Sequence, residues 1–126
     1  MSRRLRGPGE AARLRLLSLF NELITFMTVV ADSLYWLIDT LIGLYIWVII
    51  IGAILSWLVA FDVVNTRNRV VYMIGDFTHR LTEPALRPIR RVVPDLGGVD
   101  LSPLLLILLL FFVRRLLAGF YASLFL

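Results

Sequence analysis

Two long apolar runs dominate the chain, and a polar stretch rich in Arg and Pro separates them. The first run, residues 40–61, contains no charged side chain. At 1.5 Å per residue a helix of this length reaches about 33 Å, enough to cross the ~30 Å hydrocarbon layer of a bilayer. Tyr35, Trp36 and Trp57 lie near its ends, where aromatic residues favour the membrane interface. The pattern predicts a first transmembrane helix within residues 34–61.

The second apolar run follows a helix-start signal, because Ser102 is a good N-cap residue and Pro103 suits the first helical position. The uninterrupted part, Leu104 to Val113, spans only about 15 Å, too little to cross. Arg114 and Arg115 follow, and further apolar residues come after them. We predict a second transmembrane helix within residues 101–126 that includes the Arg pair, with the Arg side chains extending towards the interface.

Two further segments have the periodicity of amphipathic helices. In residues 11–31 polar residues recur at steps of three and four, which places them on one stripe of a helix. Together with a basic tail they form a predicted surface segment, residues 1–33, although a third spanning helix is the alternative. Residues 66–81 are apolar at steps of four, three and four, and predict a second surface helix within the segment 62–100. The predicted fold is an all-α membrane protein: a hairpin of two transmembrane helices with interfacial amphipathic helices.

The stretch from residue 82 to residue 103 is dense in Pro, Arg and Gly. We expect a short helix that Thr82 caps, with Pro88 preventing a regular continuation and a turn returning the chain to the membrane. The residues expected to shape this loop are Thr82, Glu83, Pro84, Pro88, Pro94, Gly97, Gly98, Ser102 and Pro103.

Arg87, Arg90 and Arg91 are three and four residues apart, so they share a face of this segment. Beside an anionic surface each Arg contributes about 1 kcal/mol, which favours contact with lipid headgroups or with a partner. The alternative is that these residues only fix the loop on the cytoplasmic side. The six Arg of residues 62–100 favour a cytoplasmic loop, although the five Arg of residues 1–15 make the count nearly even.

The composition restricts the chemistry that is open to the chain. Apolar residues make up 60% and charged residues 17%, so lipid must cover surface that so short a chain cannot bury. The net charge of +4 comes entirely from Arg beside apolar segments, which favours anionic lipid over nucleic acid. There is no Cys, and His79 is the only His, so we expect no metal, no cofactor and no catalytic residue. The predicted protein is not an enzyme.

Three charged residues fall within the predicted spans: Asp39, Arg114 and Arg115. Such charges are costly in a bilayer and indicate function by default. Counted from the loop, Asp39 lies about 15 Å deeper than Arg114. This favours pairing between subunits, or side chains that extend to the interface, over a direct pair.

Gly52, Ser56 and Ala60 recur every four residues and offer a face for close helix packing. The alternative is that small residues are simply common in membrane helices. Because two helices bury little surface, we expect self-association or binding to another membrane protein.

Several of these motifs together resemble the YggT (YlmG) family of small membrane proteins, over roughly residues 34–117. The resemblance implies two transmembrane helices per repeat and a non-enzymatic role in the bacterial inner membrane. It also implies an accessory or scaffold function in envelope or osmotic homeostasis or in the assembly of a membrane complex, and a link to cell-division genes. A small oligomeric channel or transport component is the alternative. The motifs are Ile54-Leu55-Ser56-Trp57, Val64-Asn65-Thr66-Arg67-Asn68, Thr82-Glu83-Pro84, Arg87-Pro88-Ile89-Arg90-Arg91 and Gly97-Gly98-Val99-Asp100-Leu101-Ser102-Pro103.

Overall fold

A computed structural model describes residues 7–93 and 100–126. Every regular element within these residues is an α-helix. They are α1 (Pro8–Ala60), α2 (Arg69–Arg90) and α3 (Ser102–Phe125). By length and composition, α1 and α3 are both able to cross a membrane. The all-α class predicted from the sequence is therefore confirmed, with two candidate membrane-spanning helices.

Helix α1 is one continuous helix of 53 residues, about 80 Å long. The predicted boundary between segments 1–33 and 34–61 falls within α1, and the helix has no break near residue 33. Neither Gly nor Pro occurs between residues 10 and 42. The hydroxyls of Thr25, Thr28 and Ser33 each donate to the carbonyl four residues earlier, at 2.8 Å. Because these polar groups bond within the helix, the polar stripe does not interrupt it. The position of the first half of α1 relative to a membrane stays a prediction.

Helix α2 begins after Asn68, whose side chain accepts a hydrogen bond from the Val70 N–H at 3.0 Å. It continues through Pro84 and Pro88 to Arg90, so the predicted break of the helix after residue 81 is wrong. Thr82 does not cap a helix, because it is buried within α2 and donates to the Thr78 carbonyl at 2.7 Å.

Contacts with α1 support α2 where its prolines weaken it. Proline has no N–H and its ring crowds the preceding turn, so the helix loses internal hydrogen bonds there. The Tyr45 hydroxyl of α1 donates to the Leu81 carbonyl of α2 at 3.0 Å, beside the turn that contains Pro84. Tertiary contact therefore overrides a local sequence signal that is usually reliable.

The three helices meet at a small core made of Ile49, Leu86 and Leu106, one residue from each helix. Helix α2 lies antiparallel to α1, since Tyr45 contacts the level of Leu81 whereas Leu55 contacts Gly75. The last turns of α1 are thereby packed against α2 rather than against α3.

Helix α3 is also antiparallel to α1, but it lies beside a different part of it. Leu106 packs with Ile49, and Arg114 contacts Asp39. Tyr121, further along α3, contacts Asp32. Helix α3 therefore begins near the level of Ile49, several turns before the end of α1, because α2 occupies those last turns.

The start of α3 differs in detail from the prediction. Ser102 is the first helical residue rather than the N-cap, and no side chain of the N-cap residue Leu101 bonds to the helix. The Asp100 carboxylate accepts from the Ser102 N–H at 3.0 Å, while the buried Ser102 hydroxyl has no hydrogen-bond partner among the described residues. Pro103 is buried in the first turn. The predicted turn residues Pro94, Gly97 and Gly98 lie outside the described residues.

Candidate functional site

A charged pair joins the two apolar helices α1 and α3. Arg114 donates from Nε to Asp39 Oδ1 and from Nη2 to Asp39 Oδ2, both at 2.9 Å. This two-point contact matches the planar guanidinium to the planar carboxylate, which gives both strength and orientation. Gly43 lies one turn along α1 from Asp39, and a Cβ there would be 3.8 Å from Arg114 Nη1. The guanidinium therefore packs over Gly43, where a Cβ would be in ordinary van der Waals contact with it.

The expectation that Asp39 and Arg114 lie at different depths is wrong. It assumes that both helices begin at the same level beside the loop. In the structure α3 begins near Ile49 rather than near Phe61, because α2 fills the intervening turns. From this level Asp39 is ten residues along α1 and Arg114 is about eight residues along α3, so the two side chains meet.

A second polar contact lies two turns further along the same helix pair, and the sequence analysis did not find it. The Tyr121 hydroxyl donates to Asp32 Oδ1 at 2.9 Å. The Tyr121 ring also stacks on Tyr35, with ring centroids 4.6 Å apart and an interplanar angle of 16°. A usable signal was present: Asp32 and Asp39 are seven residues apart on α1, as are Arg114 and Tyr121 on α3. We name Asp32, Tyr35, Asp39, Arg114 and Tyr121 the polar seam.

Arg115 does not belong to the polar seam. Its side chain is exposed on α3, and no carboxylate among residues 7–93 and 100–126 forms an ion pair with it. The two adjacent Arg residues therefore have different environments, although the sequence treats them as one feature. Arg114 is held between helices, while Arg115 faces outward.

Arg90 is the centre of a second charged cluster, where α2 ends and α3 begins. Its Nε donates to Asp100 Oδ2 at 2.8 Å, and its Nη1 donates to both carboxylate oxygens of Glu83, at 2.6 and 2.7 Å. His79 Nδ1 lies 3.7 Å from Glu83 Oε2 on the same face of α2. Because Asp100 also accepts from Ser102, this Arg90 cluster ties the end of α2 to the first turn of α3.

The Arg90 cluster divides the Arg triplet predicted to bind lipid or a partner. Arg87 and Arg91 are exposed, and neither forms an ion pair with a described residue. Arg90 is already bonded to two carboxylates, which neutralise its charge, so it attracts a phosphate less than an unpaired Arg does. The structure therefore leaves Arg87 and Arg91 as the members of the triplet that are open to a ligand.

The Arg90 cluster makes stability depend on pH. Burial raises the pKa of Asp100, but hydrogen bonds from Ser102 and the Arg90 guanidinium outweigh it, and the net pKa lies below its ordinary value. Because the pKa of Asp100 is lower in the folded protein, its ionised carboxylate stabilises the fold fully above the ordinary Asp pKa of about 3.9. This stabilisation is lost as the pH falls through the lower pKa of the folded state. We expect Asp100→Asn to lower the free energy of unfolding by about 0.5–1 kcal/mol at pH 7. The effect is small because the side chains of Arg90 and Asp100 are both about one-third exposed.

The measurement for this prediction is the unfolding midpoint in detergent, compared between Asp100→Asn and the unchanged protein at pH 7 and pH 2. The difference between the two proteins should shrink as the pH falls through the lowered pKa of Asp100, because the carboxylate takes up a proton there. A difference that stays the same at both values would show that the Arg90–Asp100 ion pair does not contribute.

The predicted packing residues Gly52, Ser56 and Ala60 have three different environments. A Cβ on Gly52 would lie 3.3 Å from Thr78 Cβ, so the backbone of α1 approaches α2 closely at this point. Ser56 lines a cavity of about 380 Å³ between α1 and α2, and Ala60 is exposed. Gly75 of α2 makes a similar close approach to Leu55, which the sequence analysis did not single out.

The helices that form the polar seam and the Arg90 cluster coincide with a region matched in other proteins. A profile of the CCB3/YggT family matches residues 31–121, which include the second half of α1, all of α2 and most of α3. The chain belongs to the CCB3/YggT family. Membership and the two apolar helices together indicate a membrane protein.

Relatives of the family come from several bacteria. The uncharacterized protein YggT of Escherichia coli strain K12 is 35% identical over 117 residues, covering 86% of this chain and 57% of that protein. An uncharacterized protein of Vibrio alginolyticus is 44% identical over 75 residues, covering 60% of this chain and 36% of the relative. One from Haemophilus influenzae is 40% identical over 75 residues, covering 59% and 36%. This chain thus spans little more than half the length of the first relative, and no solved structure matches it.

Proposed function

We propose that this member of the CCB3/YggT family is a non-enzymatic scaffold in the bacterial inner membrane. In this proposal α1 and α3 both cross the bilayer as a hairpin. The Asp39–Arg114 pair carries the proposal, because two well-aligned hydrogen bonds between apolar helices fix the hairpin in one register. A hairpin with a fixed register holds the segment that connects its two helices in a defined position. Here that element is α2, with its Arg residues.

Helix α2 has a face suited to the membrane interface. Five apolar side chains of α2 are exposed at helical spacing: Val70, Met73, Ile74, Phe77 and Leu81. Burying such a stripe at the boundary of headgroups and acyl chains is favourable, and basic side chains beside it bind anionic lipid. We therefore infer that α2 lies at the cytoplasmic interface, with Arg87 and Arg91 directed to phosphates of lipid or of a partner.

The lipid contact is tested with the purified full chain in nanodiscs that contain phosphatidylglycerol. We expect Arg87→Gln/Arg91→Gln to weaken retention of this lipid about 30-fold, from about 1 kcal/mol for each Arg. Arg67→Gln/Arg69→Gln is the matched control, since it removes the same charge at the opposite end of α2. An equal loss in the control would show that only net charge matters, and that the Arg87–Arg91 surface has no special role.

The scaffold function is tested in cells. A photo-crosslinker at position 87 or 91 should attach to one defined membrane protein or to a second copy of this chain. The same label at Arg115, on α3, should not give that product. If a cell that lacks the protein grows poorly at high osmolarity or assembles a membrane complex poorly, Arg87→Gln/Arg91→Gln should fail to restore it. Full restoration by that variant would contradict the proposed role of the surface.

A small oligomeric channel or transport component is the second candidate, and the polar seam is the observation that favours it. Two carboxylates, one guanidinium and two Tyr side chains lie along one line between apolar helices. Ion flux through liposomes that contain the purified protein separates the two functions. A channel predicts flux that changes with Arg114→Ala, whereas a scaffold predicts none above that of empty liposomes.

A further inference from the structure

An exposed row of large apolar side chains runs along α1, and we name it the apolar ridge. Its members are alternately four and three residues apart, and each is 41–63% exposed. The same spacing continues to Leu44, so the pattern holds for four heptads. This is the spacing of the a and d positions of a coiled coil, where a second helix packs along the first. The apolar ridge consists of Leu16, Phe20, Leu23, Met27, Val30 and Leu34.

The apolar ridge faces away from α3. Asp32 and Asp39 hold the opposite face of α1 against α3, through Tyr121 and Arg114. Asp32 is two residues from both Val30 and Leu34, which places it about 160° around the helix from each of them. A helix packed on the apolar ridge would therefore leave the contacts of the hairpin in place.

The first part of α1 extends well past the end of α3. Tyr121 contacts Asp32, and α3 ends four residues later at Phe125, at the level of about residue 28 of α1. Residues 8–27 therefore continue for about 30 Å beyond α3. Sharp kinks occur mostly at Pro or Gly, and neither lies between residues 10 and 42. Where α3 reaches the far side of a bilayer, α1 continues straight into water, and its ridge there needs cover.

The spacing of the apolar ridge indicates that the cover is another helix. On a straight helix a seven-residue repeat drifts by about 20° per heptad, and two helices that wind around each other remove this drift. The nine exposed positions from Leu16 to Leu44 present on the order of 800 Å² per copy, the area that each partner of a stable complex contributes. A second copy inserted in the same orientation presents an identical ridge at the same height.

We propose that two copies of this chain pair in parallel, α1 against α1, along the apolar ridge. This inference rests on the proposed function for one point, the crossing of the bilayer by α1 and α3, which gives both copies the same orientation. The paired surface lies towards the opposite end of α1 from α2. The pairing and the contacts of Arg87 and Arg91 can therefore fail separately.

The test uses disulfide formation in isolated membranes, since the natural chain has no Cys. Leu16→Cys, Leu23→Cys and Leu37→Cys are made singly in the full chain and treated with a mild oxidant. In a parallel pair each d-position Cys lies within disulfide reach of the same residue in the second copy. We expect about tenfold more linked dimer from Leu23→Cys than from Thr25→Cys, a control at nearly the same level but on the opposite face.

The three positions also report the direction of pairing. An antiparallel pair brings a residue next to its own counterpart only near the crossing point, so linkage at both Leu16→Cys and Leu37→Cys requires a parallel pair. Equal linkage from Thr25→Cys would show contact without a specific surface and would overturn the proposal. Absence of linkage along the apolar ridge, with the crosslink from position 87 or 91 still present, would overturn the pairing and leave the scaffold proposal standing. Linkage without that crosslink would do the reverse.

A charge on the apolar ridge provides a second measurement. We expect Phe20→Glu to halve the protein mass found by light scattering in mild detergent, because a carboxylate at the paired surface is not solvated. Phe20 lies beyond the end of α3, so this change spares the hairpin, and Leu23→Glu replaces it should Phe20→Glu fail to insert. Thr25→Glu is the matched control and should keep the mass of the pair. An unchanged mass for both ridge variants would contradict the proposal.

Discussion

Replacing Asp39 by Leu is expected to destabilise the protein by about 2.5–3.5 kcal/mol, because the change leaves Arg114 charged and unpaired between apolar helices. Each of the two hydrogen bonds from Arg114 ends on this carboxylate. The measurement is the unfolding free energy of the purified chain in mixed micelles with increasing denaturing detergent. We expect Arg114→Leu to have a similar effect, since it leaves the carboxylate unpaired instead.

The double variant Asp39→Leu/Arg114→Leu distinguishes a specific pair from general loss of packing. Removing both charges leaves no unpaired group, so we expect most of the lost stability to return. Arg115→Leu is the matched control, because this side chain is exposed and forms no ion pair with a described residue. If the double variant is as unstable as the sum of the single changes, Asp39 and Arg114 act independently and the pair does not hold the hairpin.

The all-α class and the two candidate spans follow from the sequence because they depend on local pattern. An apolar run of sufficient length predicts a spanning helix whatever its neighbours are, and residues 40–61 are such a run. Residues 101–126 reach the necessary length only when the Arg pair is included in the span. The family is recognised for a related reason. The Thr-Glu-Pro and Pro-Ile-Arg-Arg motifs are short, contiguous and specific.

The register between helices depends on tertiary packing and could not be predicted by counting residues from the loop. Helix α2 folds back along the last turns of α1, so α3 begins several turns further along. Nothing in the apolar runs specifies this offset. The matching seven-residue spacings, Asp32 to Asp39 on α1 and Arg114 to Tyr121 on α3, do indicate this offset, but only if the two helices are assumed to be antiparallel. Counting residues from the loop therefore disfavours the direct Asp39–Arg114 pair that the structure contains.

Helix α2 shows the opposite limit, where a strong local signal gives the wrong result. Pro84 and Pro88 predict interruption, and α2 continues through both. Packing of Leu86 in the three-helix core and the Tyr45 hydrogen bond to the Leu81 carbonyl hold α2 against its neighbours beside these prolines. The Arg triplet is then divided, because a regular helix turns Arg90 towards Glu83 and Asp100.

Replacing Gly52 by Leu is expected to separate α2 from α1. A Cβ at this position would lie 3.3 Å from Thr78 Cβ and 3.4 Å from its Oγ1, so the added side chain forces Thr78 or the α2 backbone to move. Overpacking at such a contact costs about 1–3 kcal/mol, and here the backbones themselves must move apart. The displaced α2 should be cut by trypsin at Arg80 much faster than in the unchanged protein.

The same side chain placed elsewhere on α1 supplies the control for Gly52→Leu. Gly9 has no atom within 4 Å of where its Cβ would be, so Gly9→Leu should leave the rate of cleavage at Arg80 unchanged. A compensating change tests the contact itself. Because Thr78 is the residue that Leu would strike, Gly52→Leu/Thr78→Gly should recover part of the protection. If Gly52→Leu alone stays fully protected, then the close approach of α1 and α2 at Gly52 is not what positions the Arg-bearing end of α2.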